Sequence, residues 1–524
     1  MKIDKDLLAS VKSYMSRLTT QVELVIEPGL HSKKSELVEF LKDVESTSEL
    51  ISVRDRAINE RSLRSAISFE IYVNNEPSGA QFSGIPSGHE FNSLILAILY
   101  AGGVASKLDA TLQQRIKNIS SDLHFEVVVS LSCHNCPEIV QTLQQIALLN
   151  PKITSEMIDG GDFQELIEER NIQGVPAVYL NKASFAQGKI SASDLIERLL
   201  TVRAIEFSES SEQFISEKIE MFDVAVVGGG PAGAAAAIYA VRKGLKVAVI
   251  ADRIGGQMND TQSIENMIST TLTTGPKLSG SLKEHLLSYP VTLKEHLKVK
   301  SIDLGDEHWL TLSTGEKIQA KAVVFATGAQ WRELGVPGEK ENIGRGVAYC
   351  PHCDGPFFKD KDVAVIGGGN SGVEAALDLA SIVRTVTLIE FGQELRADKI
   401  LQDHMVKTSN IKVITNAETQ KINDNGKQVE NLVYRDRASN EMKTVEIAGI
   451  FIQIGLIPNS QLIKDQVEMT RFGEIIINER CETSRKGVFA CGDVTTVPYK
   501  QIVIAMGEGS KAGLSAFEYL LKNN

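Results

Sequence analysis

Short apolar runs alternate along this chain with stretches whose apolar residues recur every three to four positions, the signature of strands and amphipathic helices taking turns. After a charged amphipathic opening, Val22–Ile26 predicts a strand, Ser35–Val44 a helix with one apolar face, and Ile67–Val73 a second strand. Phe125–Ser130 predicts a buried strand ending at Cys133, followed by a helix at Ile139–Leu149 and a strand at Ala177–Leu180. Farther on, Asp223–Val227, Val247–Ile250, Asp362–Ile366 and Val386–Ile389 are short, largely apolar runs that predict further strands. The fold class expected is α/β.

Two of these runs open a duplicated pattern. Asp223–Val227 leads into Gly228, Gly230, Pro231, Ala232 and Gly233; Asp362–Ile366 leads into Gly367, Gly369, Asn370, Ser371 and Gly372. In a GxGxxG turn the first glycine makes the bend, the second lets a pyrophosphate approach the backbone, and the third lets helix pack on strand. One such turn is weak evidence. Two are strong when each follows a strand and is itself followed about 20 residues on by an acidic residue after a second strand. Those acidic residues are Asp252 and Glu390. Two dinucleotide folds imply two dinucleotides.

A repeat also shows nearer the N-terminus. Strand, Cys133-x-x-Cys136, helix, then Gly174, Val175 and Pro176 before a strand is the thioredoxin-like order, in which a cis proline faces the disulfide. Gly84, Ile85 and Pro86 read as the same signal in an earlier copy, which carries Gly29, Leu30, His31 and Ser32 where a CxxC would stand. Both Gly-x-Pro triplets also suit plain surface turns. Glu90, just past Pro86, is either an acidic group near Cys133, if the two units share a face, or a solvated side chain.

Composition narrows the partners. At 524 residues the chain holds several domains, and its net charge of -12 argues against nucleic acid or an anionic membrane. Met1–Ser10 lacks an apolar signal core, and the longest apolar run, Leu94–Ala105, is too short to span a bilayer, so a soluble cytoplasmic protein is expected. Four of the six cysteines lie in two CxxC pairs, which in a reducing compartment suits catalysis.

The second pair, Cys350, Pro351, His352, Cys353, then Asp354 and Gly355, can close a small, easily reversed disulfide, with His352 and the loop geometry available to activate a thiol. A CxxC is also half of a zinc site, but a local zinc ribbon wants its pairs roughly 15 to 20 residues apart, and these lie much farther apart. No metal is expected. Asp354 with Gly355 also reads as an ordinary turn. Cys481 and Cys491 lack this spacing and are assigned no redox role, Cys491 being expected as a small buried residue.

From residue 221 on, the chain resembles the low-molecular-weight thioredoxin reductases. The likeness rests on Gly255, Gly256 and Gln257 after the first fold, Asn266, Ala326, Thr327 and Gly328, the CxxC just before the second fold, and Cys491, Gly492 and Asp493 near the end. With the thioredoxin-like pair in front, the whole chain resembles the flavoprotein component of bacterial alkyl hydroperoxide reductases. The resemblance implies FAD on the first fold, through Gly228, Gly230, Gly233, Asp252, Gln257, Asn266, Gly492 and Asp493, and NADH on the second, with Glu390 on the ribose hydroxyls.

It further implies that Cys353 is the sulfur beside the flavin, that Cys350 exchanges with the acceptor, and that Asp354 moves the proton. Electrons would pass from NADH through FAD, Cys350/Cys353 and Cys133/Cys136 to the disulfide of a peroxiredoxin, in a homodimer. The alternatives are a reductase serving other thioredoxin-like or glutaredoxin-like clients and a zinc-stabilised nucleotide-binding scaffold. The expected division is a thioredoxin-like unit without CxxC at 1–118, one with CxxC at 119–203 and a linker at 204–220, then the FAD domain at 221–334 and 451–524 around an inserted NADH domain at 335–450. In that scheme Phe451–Gly455 is a strand returning to the FAD domain.

Overall fold

The computed structural model describes residues 3–55, 62–106, 108–133, 136–170, 172, 175–187, 190–202, 205, 219–261, 264–343, 345–426 and 428–523, without the side chains of Lys5, Asp260, His352, Cys353 and Pro356. Gly174 and most of the expected linker, 204 and 206–218, lie outside the described residues. By its contacts the chain forms two compact bodies. One comprises 1–221 with 293–301 and 310–319, the other 222–292, 302–309 and 320–524.

The first body carries one sheet of eight strands: β1 Val22–Ile26, β2 Ile51–Asp55, β3 Ser68–Val73, β4 Glu76–Ser83, β5 Leu123–Val129, β6 Ile153–Asp159, β7 Ala177–Leu180 and β8 Ala183–Gln187. Their order, β2-β1-β3-β4-β6-β5-β7-β8, is one four-strand pattern written twice. In each half two parallel strands (β1 and β2, β5 and β6) are followed by an antiparallel pair. A helix follows the first strand of each half, Lys34–Glu45 and Cys136–Leu149. The halves join through parallel β4 and β6, and Arg64 of the first half reaches Glu126 (2.5 Å) and Glu156 (2.8 Å) of the second.

The repeat is therefore present, but one signal for it lies elsewhere than expected. Pro176 is joined by a cis bond to Val175 and precedes β7; the counterpart of β7 is β3, whereas Gly84–Pro86 follows β4. Ile85–Pro86 is trans. Gly84 is there for a different reason: its φ is +102°, and an added Cβ would stand 2.8 Å from that of Asp159.

Further along the chain β9 Glu220–Val227, β10 Val247–Ala251, β11 Thr292–Glu295, β12 Val299–Leu304, β13 His308–Leu312 and β14 Lys317–Phe325 follow in sequence. They form a sheet of order β11-β10-β9-β14-β13-β12, with β25 (Val488–Ala490) beside β14. β15 (Ala329–Trp331) leaves it for a second sheet made of β16 Val347–Ala348, β17 Asp362–Ile366, β18 Thr385–Ile389, β19 Ile411–Ile414 and β23 Gly449–Ile452. Its order is β16-β23-β17-β18-β19, all parallel.

Alternate residues of β17 explain its unbroken apolar run. Val363 and Val365 face Val373 and Leu379 of helix Asn370–Ala380, while Ala364 and Ile366 face Ile422 and Leu432 of an antiparallel meander, β20 Ala417–Asp424, β21 Val429–Asp436 and β22 Met442–Glu446. β24 (Leu456–Pro458) pairs antiparallel with β15, so outgoing and returning chains cross together as a two-strand ribbon.

The strand expected at Phe451–Gly455 does not return to the first sheet: its residues 451–452 end β23, which pairs with β17 and β16 of the second. An apolar run marks a strand without saying to which sheet it belongs. The return is β24.

Candidate active site: two dinucleotide cradles and two disulfides

The two glycine turns are built alike. Gly228 and Gly367 have φ of +115° and +121°; an added Cβ would meet the Ala326 carbonyl at 2.2 Å in one and the Gln453 carbonyl at 2.4 Å in the other. On Gly233 and Gly372 a Cβ would fall 1.9 and 1.8 Å from the carbonyls of Gly228 and Gly367. Gly230 and Gly369 instead face open space, at the starts of helices Pro231–Val241 and Asn370–Ala380. A bare backbone at a helix N-terminus with room in front of it fits a pyrophosphate.

Around the first turn, Asp252 follows β10 with a buried Oδ1 that no hydrogen bond satisfies among the described residues, a free acceptor suited to a ribose hydroxyl. Ala326, Thr327 and Gly328 follow β14, and the Thr327 hydroxyl donates to the Asn459 carbonyl (2.6 Å). Gln257 donates its amide to the Ala329 carbonyl, and Asn266 to Gln501 (3.0 Å). Gly492, at φ +73°, begins the turn Gly492–Val494, 2.9 Å as a notional Cβ from that of Ala232. Burial pushes the Asp493 carboxyl up.

The second turn opens onto a cavity of about 980 Å³ lined by Gly367–Ser371, Glu390, Phe391 and Gln453 among others, a size that suits a cofactor. Glu390 is 2% exposed. Its Oε2 accepts from the Gly368 N–H (2.6 Å) and its Oε1 from Gly392 (2.8 Å). Gly368, which the motif leaves unspecified, is needed because a Cβ there would lie 2.8 Å from Glu390 Oε2. Asn370 exchanges two hydrogen bonds with Asp398, holding the helix start in place.

Cys133 and Cys136 form a disulfide with Cα atoms 5.6 Å apart. Cys133 is half-buried, 4.0 Å from the Val175 carbonyl beside the cis proline, and Cys136 is fully buried at the first turn of its helix. Glu90 is not solvated. It is 0% exposed, its Oε2 accepts from the Ser93 hydroxyl (2.6 Å), and Ser93 accepts from Gln141 (3.3 Å) on the helix that begins at Cys136. The His89 N–H donates to the Leu131 carbonyl (3.0 Å), so the Glu90 turn lies against the turn leading to Cys133. Burial, partly offset by the Ser93 bond, raises the Glu90 pKa to about 7. The two halves therefore share that face.

Cys350 is half-buried and disulfide-bonded, just before the short helix Pro351–Asp354. Burial lifts Asp354 to about 6, against a hydrogen bond from the Cys350 backbone, which places it where a carboxyl both gives and takes a proton near neutral pH. Cys481 and Cys491 are free and buried. Burial raises Cys481 to about 12, helped by its bond to Glu508 (3.2 Å), and pushes Cys491 well above the usual thiol range. Neither is a nucleophile at neutral pH.

The pyridine nucleotide-disulphide oxidoreductase family model matches residues 222–509, and a thioredoxin domain model matches 123–201. The F subunit of alkyl hydroperoxide reductase from Pseudomonas aeruginosa is 46% identical over 526 residues, covering 100% of this chain and 99% of its own length. That of Escherichia coli is 45% identical, covering 99% of each. The chain belongs to the family of alkyl hydroperoxide reductase F subunits. A Bacillus subtilis relative named NADH dehydrogenase is 43% identical over the full length of both. Among solved structures, thioredoxin reductase from Streptococcus pyogenes is 37% identical, with a TM-score of 0.55, over 58% of this chain and 100% of its own.

As a member of this family the chain is an NADH-dependent flavoprotein disulfide oxidoreductase with FAD as its second cofactor, and the two thioredoxin-like units belong to its fold. The cradles at the two glycine turns fit both dinucleotides. Among the described residues no helix is long and apolar enough to cross a membrane.

Proposed function

We propose that electrons leave NADH in pairs, pass through FAD to the Cys350–Cys353 pair, move to Cys133–Cys136, and end on the disulfide of a separate peroxiredoxin. FAD, held at the first glycine turn by Gly228, Gly230, Gly233 and Asp252, would supply the chemistry that links a hydride donor to a disulfide. Overall, NADH and one proton convert a disulfide into two thiols and leave NAD⁺. Asp354, with its carboxyl near pH 6, gives and retakes the proton at Cys350. The Cys350 thiolate then attacks Cys133–Cys136; one S–S bond forms as another breaks, and Cys353 completes the exchange.

The observation that carries the last step is the unequal burial of the N-terminal pair. Cys133 is half-buried at the mouth of its turn, and Cys136 is 0% exposed. The accessible sulfur attacks the partner and the buried one resolves. The peroxiredoxin partner follows from the relatives' names, which speak of a single component of an alkyl hydroperoxide reductase. Two further parts of the reading are a cytoplasmic setting and a homodimer. The expected domain division is retained, with the return from the NADH domain after Ile452, where β23 ends.

Replacing Cys136 by Ser should trap a mixed disulfide between Cys133 and the partner, replacing Cys133 should trap none, and NADH should bleach the flavin normally in both. A Cys133→Ser protein that reduces the peroxiredoxin at the normal rate would remove the N-terminal pair from the relay.

A further inference from the structure

One buried carboxylate lies between the ribbon and the segment that leads to Cys350. Glu339 is 0% exposed. Its Oε1 accepts from the Leu334 N–H (2.9 Å) and its Oε2 from the Gly335 N–H (2.7 Å), at the point where the outgoing chain leaves the ribbon. Its Oε1 also accepts from the Tyr349 hydroxyl (2.8 Å). Tyr349 is the residue before Cys350. Burial, with Glu339 beside it, pushes the Tyr349 phenol well above its usual range, so it remains a donor.

Tyr349 is held from other directions too. Its ring stacks on Trp331 of β15, with centroids 6.2 Å apart and planes at 23°. Its carbonyl accepts from the amide of Gln453 (2.8 Å), between β23 and β24, and the Gln453 N–H donates to Ile366 (2.8 Å), the last residue before the second glycine turn. Tyr349 is thus held by its ring to the outgoing ribbon strand and by its backbone to the segment that leads into the returning one. A buried carboxylate with three donors is costly to leave half-satisfied, so the arrangement is stiff.

We propose that Glu339 and Tyr349 are positioning residues that lock the Cys350 disulfide to the two-strand ribbon, setting where the disulfide stands when the flavin reduces it. The proposal rests on the reading of Cys350 as the first sulfur of the relay. Neither residue touches the reacting atoms; they act through the backbone of Cys350. A displacement of about 1 Å at a reacting centre is enough to slow a step up to roughly a hundredfold.

The test uses the FAD-loaded full chain with Tyr349→Phe, which removes one hydroxyl, and Glu339→Gln, which keeps the volume. Three steps are followed without oxygen: flavin bleaching by NADH, appearance of alkylatable thiols at residues 350 and 353 after bleaching, and reduction of the same disulfide by dithiothreitol without NADH. Bleaching and dithiothreitol reduction should stay within about twofold of the unmodified protein, and thiol appearance after bleaching should slow roughly ten- to a hundredfold. Thiols forming at the normal rate in Tyr349→Phe overturn the proposal. So does a slowing shared by all three steps, which is a general loosening of the fold. A Cys350→Ser protein that still delivers electrons to the peroxiredoxin overturns the relay reading instead, whatever the Tyr349 variant does.

Discussion

Glu90 is the residue whose environment says most about its charge. Its folded pKa near 7 lies above the ordinary glutamate value, so between about pH 4.5 and pH 7 the folded protein holds a proton that the unfolded chain has released. Stability from this group is present at low pH and is lost as pH rises through 7. Glu90→Gln removes the titration, so the variant should gain in melting temperature relative to the unmodified protein at pH 8 but not at pH 5. If the acid also serves the nearby Cys133–Cys136 pair as a proton store, partner reduction should lose an inflection near pH 7 in the variant. An unchanged pH profile would leave Glu90 with a packing role alone. From sequence it was one Glu after a proline; its burial depends on helix Phe91–Ala101 and helix Cys136–Leu149 packing against its turn.

At the scale of elements, the glycine turns were legible because their chemistry is local: turn, phosphate gap and helix contact all lie within six residues. What was not legible depends on which strands meet. Gly84–Pro86 announced a turn but not its place in the sheet, and Phe451 announced a strand but not its partner. The Glu339–Tyr349 contact gives no sequence signal, since a Glu and a Tyr ten residues apart match no period. The turns make a separable prediction. In Gly372→Ala the new Cβ, 1.8 Å from the Gly367 carbonyl, forces strand and helix apart at the second turn only. The protein should stay yellow and bind NADH at least about tenfold more weakly, a loss of roughly 1.4 kcal/mol. Loss of FAD from this variant would show that the two cradles are not independent.

For the whole molecule, the question is whether the reductase portion stands without the thioredoxin-like units. The segments 293–301 and 310–319 group with residues 1–221, and the charges there show how. Lys294, 3% exposed, has its Nζ 2.7 Å from Glu316, 3.2 Å from Glu220 and 3.5 Å from Asp109. Lys298 pairs with Asp194 (2.5 Å) and Lys300 with Glu197 (2.9 Å). A fragment beginning at residue 221 loses Asp109, Asp194, Glu197 and Glu220 but keeps Glu316, so Lys294 is never left as a lone buried charge, the case that costs most. The two more exposed pairs contribute about 0 to 1 kcal/mol each. The fragment should therefore melt a few degrees lower, keep FAD and oxidise NADH with an artificial dithiol acceptor, and fail to reduce the peroxiredoxin because Cys133 and Cys136 are gone. Retained flavin with normal peroxiredoxin reduction would show that Cys350 serves the partner directly. Loss of flavin would show that these segments need the first 220 residues to fold, and that the chain works as one cooperative unit rather than as a reductase with a tethered shuttle.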